Sequence, residues 1–266
     1  MSAGGDRRAV VTGASSGIGA AFARALSARG ERLVLVARRE DRLRALAAEL
    51  GGDDRALVMP ADLAQKGAGA RIEQELVRRG VEVDLLVNNA GVGHSSAVHE
   101  QPLDRVLGMI DLNVRAAVEL TRRVLPGMVE RKRGRIVNVV STSAFQPVPF
   151  LAVYAASKAF LLSFTEALAT ELAGTGVRVQ ALCPGLTESE FQQVAGTDAV
   201  AFAKTRAMSA DAVAACSLDA LERGTLRVVP GFANRLMLGA QSLLPRALVR
   251  RVAGELFRPR SPSHRG

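Results

Sequence analysis

Two side chains in this sequence are spaced to move a proton. Tyr154, the only tyrosine among 266 residues, stands four places before Lys158 in Tyr154-Ala-Ala-Ser-Lys158. The surrounding run, Y-A-A-S-K-A-F-L-L-S-F-T-E-A-L-A, has apolar residues at Ala155, Ala159, Leu162 and Leu168, near helical spacing. Residues four apart on a helix share a face, with Cβ atoms about 5–6 Å apart. A phenol and an ammonium would then line one wall. A neighbouring cation favours phenolate over phenol, which predicts a Tyr154 pKa below its ordinary value of about 10. A tyrosine tuned in this way can serve as a general acid or base near neutral pH. The same spacing arises by chance on surface helices, so the rest of the chain must decide.

A second chemistry-bearing stretch lies near the N-terminus. Thr12-Gly-Ala-Ser-Ser-Gly-Ile-Gly19 follows a short β-branched run and precedes a helical pattern that stops at Gly30; Glu31 to Ala37 is the next strand. Strand, glycine turn, helix and strand make a βαβ unit of about 30 residues. Gly13, Gly17 and Gly19 permit a tight turn and let a pyrophosphate approach the backbone at a helix N-terminus. Their G-x-x-x-G-x-G spacing differs from the common G-x-G-x-x-G fingerprint. About 20 residues further on, a dinucleotide site commonly places a carboxylate on the ribose 2′-hydroxyl. Here the chain reads Ala37-Arg38-Arg39. Two guanidiniums fit a 2′-phosphate, so the expected cofactor is NADP(H) rather than NAD(H). Glu40 and Asp41 read as first-turn residues of a helix over 41–50.

These groups need a scaffold, and the chain supplies alternating strands and helices. Further strands are predicted at 56–63, 84–91, 135–141, 177–183 and 226–230, several of them nearly all apolar, as buried parallel strands are. Helices are predicted at 71–80, at 102–125, around Tyr154, and from an N-cap at Ser209 to Gly224. The fourth strand stops at Asn88-Asn89-Ala90-Gly91. Asn88 reads as structural. Asn113 falls near the middle of the 102–125 helix, where asparagine is a poor helix former; a kink, a bound water or a polar partner is expected there. Ser141 lies at the carboxyl end of the fifth strand, the edge at which open α/β sheets bind ligands.

Taken together these landmarks resemble the short-chain dehydrogenase/reductase family. T-G-A-S-S-G-I-G, N-N-A-G, Asn113 in L-N-V, Ser141, Y-A-A-S-K and Pro184-Gly185 agree in order and spacing over residues 9–190. The resemblance implies a Rossmann-like, doubly wound parallel sheet of seven strands with helices on both faces. It implies a catalytic tetrad: Tyr154 as general acid or base, Lys158 lowering its pKa and bonding the nicotinamide ribose, Ser141 donating to the substrate carbonyl oxygen, and Asn113 holding a water in a proton relay. Gly13, Ser15, Ser16, Gly17, Ile18, Gly19, Asp62, Leu63, Asn89, Ala90, Gly91, Pro184 and Gly185 would surround NADP(H). Arg38 would meet the 2′-phosphate with Arg39 as helper, and Thr187 the nicotinamide amide. Residues 187–208 would be a substrate flap with Phe191, Val194, Val200 and Phe202 as apolar lining, although core or hinge packing explains those four equally well. Two departures stand out: the residue before Ser141 is Val140 rather than serine, and the first glycine turn carries Ser15-Ser16 with no basic residue.

Composition narrows the remaining classes. Hydrophobic residues make up 48% and aromatics 4%, with no tryptophan, so the core is aliphatic. No apolar run is long enough to span a membrane, and the N-terminus enters a strand pattern without room for a signal peptide. Two cysteines suit a reducing cytoplasm; neither they nor the scattered histidines have metal-ligand spacing, and no nucleic-acid module is present. The net charge is +9, and from Gly224 onward there are eight arginines and one acid, Glu255. Residues 1–230 form the expected cofactor and catalytic domain. Residues 231–257 read as two basic amphipathic helices, broken at Pro245, that pack on the body, cap the pocket, join a second copy or lie on an anionic membrane; docking on protein is favoured. Residues 258–266 are expected to be disordered. The expected function is NADP(H)-linked interconversion of a small carbonyl and a secondary alcohol by a homodimer or homotetramer. The alternatives are a ketoreductase for carrier-bound acyl thioesters and a non-catalytic NADP(H) sensor.

Overall fold

A computed structural model describes residues 6–196 and 207–258. Seven parallel strands form one sheet: β1 (Asp6–Thr12), β2 (Leu33–Ala37), β3 (Ala56–Pro60), β4 (Val81–Asn88), β5 (Gly134–Val139), β6 (Val177–Leu182) and β7 (Arg227–Val228). Their order is β3-β2-β1-β4-β5-β6-β7. The chain winds outward in one direction from β1 and then in the other from β4. A crevice therefore opens between the carboxyl ends of β1 and β4, the switch point where such sheets bind ligands.

Alternation along the strands assigns the two faces. Val11 and Leu35 point to the side covered by α1 (Gly17–Ala28), α2 (Glu40–Glu49) and α8 (Ala210–Glu222), against Phe22, Leu26, Leu43 and Leu218. Val10, Val34 and Ile136 point to the other side, under α3 (Ala68–Arg78), α5 (Ala116–Glu130) and α6 (Ala152–Glu171), against Ile72, Leu120, Met128 and Leu168. A strand buried on both faces needs apolar residues at every position, which is why these strands read as continuous apolar runs. Asn88 is structural, as expected. Its Nδ2 donates to Asn138 Oδ1 at 2.9 Å and Thr121 Oγ1 at 3.0 Å, and Asn138 Nδ2 donates to Thr165 Oγ1 at 2.8 Å. This buried chain joins β4 and β5 to α5 and α6.

The helix expected over 102–125 differs in two ways. It runs as α4 (Leu103–Ile110), a π turn at Asp111–Arg115, then α5 through Pro126 to Glu130. The π turn is the local answer to Asn113, discussed below. Helix α5 continues past Pro126, a helix breaker, with Met128 fully buried against Gly134 at the start of β5.

A short helix α7 (Phe191–Ala195) follows β6, and after β7 come α9 (Phe232–Ser242) and α10 (Arg246–Phe257), interrupted at Pro245 as expected. Helix α10 docks on the body through Val249, Ala253 and Phe257. Helix α9 buries none of its residues. Its Asn234 and Gln241 donate to Pro230 O and Phe145 O, while Leu236, Leu243, Leu244, Leu248, Val252 and Leu256 are exposed, so docking on the body leaves these apolar residues uncovered. Among the described residues no helix is long and apolar enough to cross a membrane and no cluster of metal-ligating side chains occurs. Val200, Phe202 and the tail over 259–266 lie outside the described residues.

Candidate active site

Helix α6 carries the proton pair into the crevice. Its Tyr154 and Lys158 are buried, 8% and 5% exposed, and Lys158 Nζ lies 5.8 Å from the centre of the Tyr154 ring. Lys158 Nζ donates to the Val139 carbonyl oxygen at 2.8 Å, which fixes the ammonium at the carboxyl end of β5. The expected depression of the tyrosine pKa is not found. Burial pushes the phenol up to about 12, with a hydrogen bond from Ser141 pulling the other way. The same burial takes Lys158 down to about 8. Desolvation of the charged forms sets both directions. Tyr154 is thus a phenol across the physiological range, poised as a proton donor.

Ser141 follows β5 and caps the short 3-10 turn Thr142–Phe145, its Oγ accepting from Ser143 N at 3.1 Å. With the oxygen engaged as acceptor, the hydroxyl proton is available for donation toward Tyr154. Ser143 contributes its backbone N–H to this arrangement. Asn113 lies in the π turn and is 1% exposed. Its Oδ1 accepts from Val92 N at 2.9 Å, and its Nδ2 donates to Val92 O at 2.9 Å and Ser157 Oγ at 3.0 Å. Ser157 Oγ in turn donates to the Tyr154 carbonyl oxygen at 2.7 Å. The polar partner expected for Asn113 is therefore the loop after β4, with Ser157 linking that loop to the turn of α6 that holds Tyr154. A Cβ on Gly91 would stand 3.1 Å from Asn113 Oδ1 and 3.4 Å from Lys158 Nζ. The absent side chain leaves these two polar groups facing one small space.

The glycine turn forms the other end of the same cleft. Gly13 has φ +65°, a conformation that favours glycine. A Cβ on Gly19 would overlap the Gly13 carbonyl oxygen and fall 2.5 Å from Asn89 Nδ2. Thr12 Oγ1 accepts from Asn89 N at 2.9 Å and Ala90 N at 3.0 Å, and Asn89 Nδ2 donates to Thr12 O at 2.9 Å. The ends of β1 and β4 are locked together, and the start of α1 lines the cleft opposite Ser189. Ser15, Ser16, Gly17, Ile18, Arg38, Arg39, Asp62, Leu63, Ala90 and Gly91 line the cleft along with Ser141, Tyr154 and Lys158. Pro184, Gly185, Thr187 and Phe191 complete it. Asp62 is turned into its own loop, its Oδ1 accepting from Ala64 N at 3.1 Å. Arg38 is exposed, whereas Arg39 reaches back over the turn to Ser16 Oγ at 2.9 Å and Ser15 Oγ at 3.1 Å.

Several lining groups escape a reading of the sequence. Phe257, from the end of α10, joins Tyr154, Leu151 and Val148 in one apolar cluster with Phe191 and Val92 packed against it. Glu190 bonds Arg39 and Arg42. Neither Phe257 nor Glu190 belongs to a local motif; only the fold brings them to the cleft. Thr12 and Ser157 stood inside quoted motifs, and their positions beside the glycine turn and in Y-A-A-S-K were the available signal.

Comparison with known proteins agrees with this geometry. The family model for short chain dehydrogenases matches residues 7–199. A short chain dehydrogenase of Pseudocercospora fijiensis is 41% identical over 188 residues, 70% of this chain and 61% of the relative; this chain thus spans about three fifths of that protein's length. The NADP-dependent 3-hydroxy acid dehydrogenase of Salmonella typhi is 38% identical over 187 residues, 70% of this chain and 75% of the relative. A short-chain dehydrogenase from Sphingobium yanoikuyae, solved in complex with NADPH, is 33% identical with a TM-score of 0.78 over 91% of this chain and 97% of its own. With the glycine turn, the buried tyrosine–lysine pair and the serine at one sheet edge, the chain belongs to the short-chain dehydrogenase/reductase family.

Proposed function

We propose that this protein is an NADP(H)-dependent oxidoreductase that interconverts a ketone or aldehyde and its alcohol, with Tyr154 as the proton donor in reduction. The observation that carries this reading is the placement of Tyr154, Ser141 and Lys158 on one wall of a cleft whose far end is the glycine turn. The donor set suits the cofactor. The turn at Gly13 and Gly19 tolerates no side chain, and Arg38 presents an exposed guanidinium where a 2′-phosphate would need one. The NADPH complex of the Sphingobium relative and the NADP dependence named for the Salmonella relative agree with it.

Bound NADPH would supply the hydride. Ser141 would donate its hydroxyl proton in a hydrogen bond to the substrate oxygen, stabilising charge that builds there. Tyr154 would transfer its phenolic proton to the same oxygen, and the resulting phenolate would be held by the Lys158 ammonium. Asn113 keeps its hydrogen bonds to Val92 and Ser157 and has one lone pair of Oδ1 left for a water facing Lys158. Oxidation would reverse these steps, with the phenolate as base. The substrate end of the cleft is apolar, walled by Leu151, Phe191 and Phe257, which favours a substrate with apolar substituents.

A ketoreductase for acyl thioesters on acidic carriers is a second reading, supported by the basic residues Arg246, Arg250 and Arg251 on α10, the helix whose Phe257 lines the cleft. The exposed apolar residues of α9 and α10 support self-association as a dimer or tetramer. A solution mass of one 28.0 kDa chain would contradict that, and a monomer that floats with anionic vesicles would assign the face to lipid. The test of the main reading is NADPH and NADH consumption across aldehydes, ketones and acyl thioesters. Turnover of ketones with NADPH well ahead of NADH is expected. Equal use of both cofactors would remove the 2′-phosphate argument, and turnover confined to acyl thioesters would select the second reading.

A further inference from the structure

The segment after Thr187 spans the cleft from the cofactor end to the catalytic tyrosine. At one end, the Ser189 Cβ lies 2.9 Å from where a side chain on Gly17 would begin. At the other, the Phe191 ring packs on Tyr154 with centroids 5.2 Å apart. Between them, Glu190 reaches to the arginines that follow β2. Its Oε2 accepts from Arg39 Nη1 at 2.8 Å and its Oε1 from Arg42 Nη1 at 2.5 Å. Hydrogen bonds from Arg42 and then Arg39 hold this carboxyl far below the usual range, at about 2, so it is an anion at any physiological pH. Arg39 is further tied to Ser15 and Ser16 of the glycine turn. Arg38 has no ion-pair partner among the described residues. A carboxylate bridging two guanidiniums, with one N–H from each, takes donors that a phosphate monoester would also use.

We propose that Glu190 is a built-in competitor for the cofactor's 2′-phosphate, occupying Arg39 and Arg42 until a phosphate displaces it. The proposal rests on the NADP(H) reading and adds to it a residue that sets how tightly, and how selectively, the phosphorylated cofactor is held. Glu190 carries a single negative charge and two acceptor oxygens. A phosphate monoester carries up to two charges and three oxygens, so it can take the arginines and retain Arg38 as well. A dinucleotide without the 2′-phosphate has nothing with which to displace Glu190 and binds beside an intact ion pair. The carboxylate therefore lowers the affinity for NADP(H) while leaving that for NAD(H) untouched. Arg39 and Arg42 are kept oriented, with one of their two charges balanced, in the meantime.

The test is a binding titration read by nicotinamide fluorescence, with NADPH and NADH each added to the wild type, Glu190→Gln and Glu190→Ala. Both variants should bind NADPH more tightly by about fivefold, the scale of one exposed ion pair, with the NADH Kd unchanged. The gain should shrink at high salt as screening weakens the competition. Weaker or unchanged NADPH binding in both variants would overturn the proposal and make Glu190 an organiser of the arginines. A change shared equally by NADPH and NADH would also overturn it and make the residue a support for the segment alone. Failure of the wild type to bind either cofactor would remove the cofactor reading itself, a different outcome from any of these.

Discussion

The burial that keeps Tyr154 protonated also makes Lys158 costly to the fold, and that cost is measurable. Its pKa is lowered by burial from the ordinary 10.5 to about 8. At about 1.4 kcal/mol per unit, holding the ammonium in place destabilises the protein by about 3 kcal/mol below pH 8. The sign follows from linkage. Between pH 8 and 10.5 the unfolded chain binds the proton that the folded chain has released, so stability rises with pH across that window. Lys158→Met keeps the length of the side chain and removes the charge. It also removes the hydrogen bond to Val139 O, a loss of about 1 kcal/mol. The variant should therefore be more stable than the wild type by about 2 kcal/mol at pH 7, while losing turnover. By pH 9.5 the wild type recovers about 2 kcal/mol of the penalty, and the difference closes. Urea denaturation of both proteins at pH 7 and pH 9.5 reads this directly. A variant less stable at pH 7, or a difference that does not narrow with pH, would refute the claim that Lys158 is held charged against its surroundings.

The same titration shapes catalysis. In reduction, kcat/KM should fall above about pH 8 as Lys158 loses its proton, with no loss from Tyr154, which stays protonated to about 12; a profile flat to pH 10 would contradict it. Gly19→Ala places a methyl group against Gly13 O and Asn89 Nδ2. The turn must shift, at a cost of about 1–3 kcal/mol, and NADPH binding should weaken at least about tenfold by titration. Ser157→Ala breaks the link from Asn113 to the Tyr154 carbonyl. Its kcat should drop with KM and NADPH Kd nearly unchanged, whereas a purely structural role would move all three together with the melting temperature.

Much of the site was legible because its chemistry is local. The glycine turn, Arg38-Arg39, Ser141 and Tyr154-x-x-x-Lys158 each declare themselves within a few residues, and parallel topology carries them to one sheet edge. The continuous apolar strands likewise announced burial on both faces. What the sequence could not weigh was desolvation. The four-residue spacing shows that a cation stands near Tyr154, but the sign of the pKa shift depends on how deeply both groups are buried, a property of the folded packing. Glu190 and Phe257 were invisible for a related reason. Glu190 is 148 residues from Arg42, and Phe257 reaches Tyr154 only because α10 folds back over the cleft. The arginines of α10 marked a basic surface, while the outward orientation of the apolar residues of α9 depended on which stripe the body would accept.

The central claim is that Tyr154 gives the proton that accompanies hydride transfer. Its most direct test is Tyr154→Phe, which removes one oxygen atom from a buried ring that would keep its contact with Phe191. NADPH-dependent reduction of a ketone accepted by the wild type should fall by at least about 10²-fold, with the NADPH Kd within about twofold of wild type, since the lost hydroxyl bears on the proton transfer. Turnover retained in that variant would contradict the account, whatever the cofactor preference proved to be.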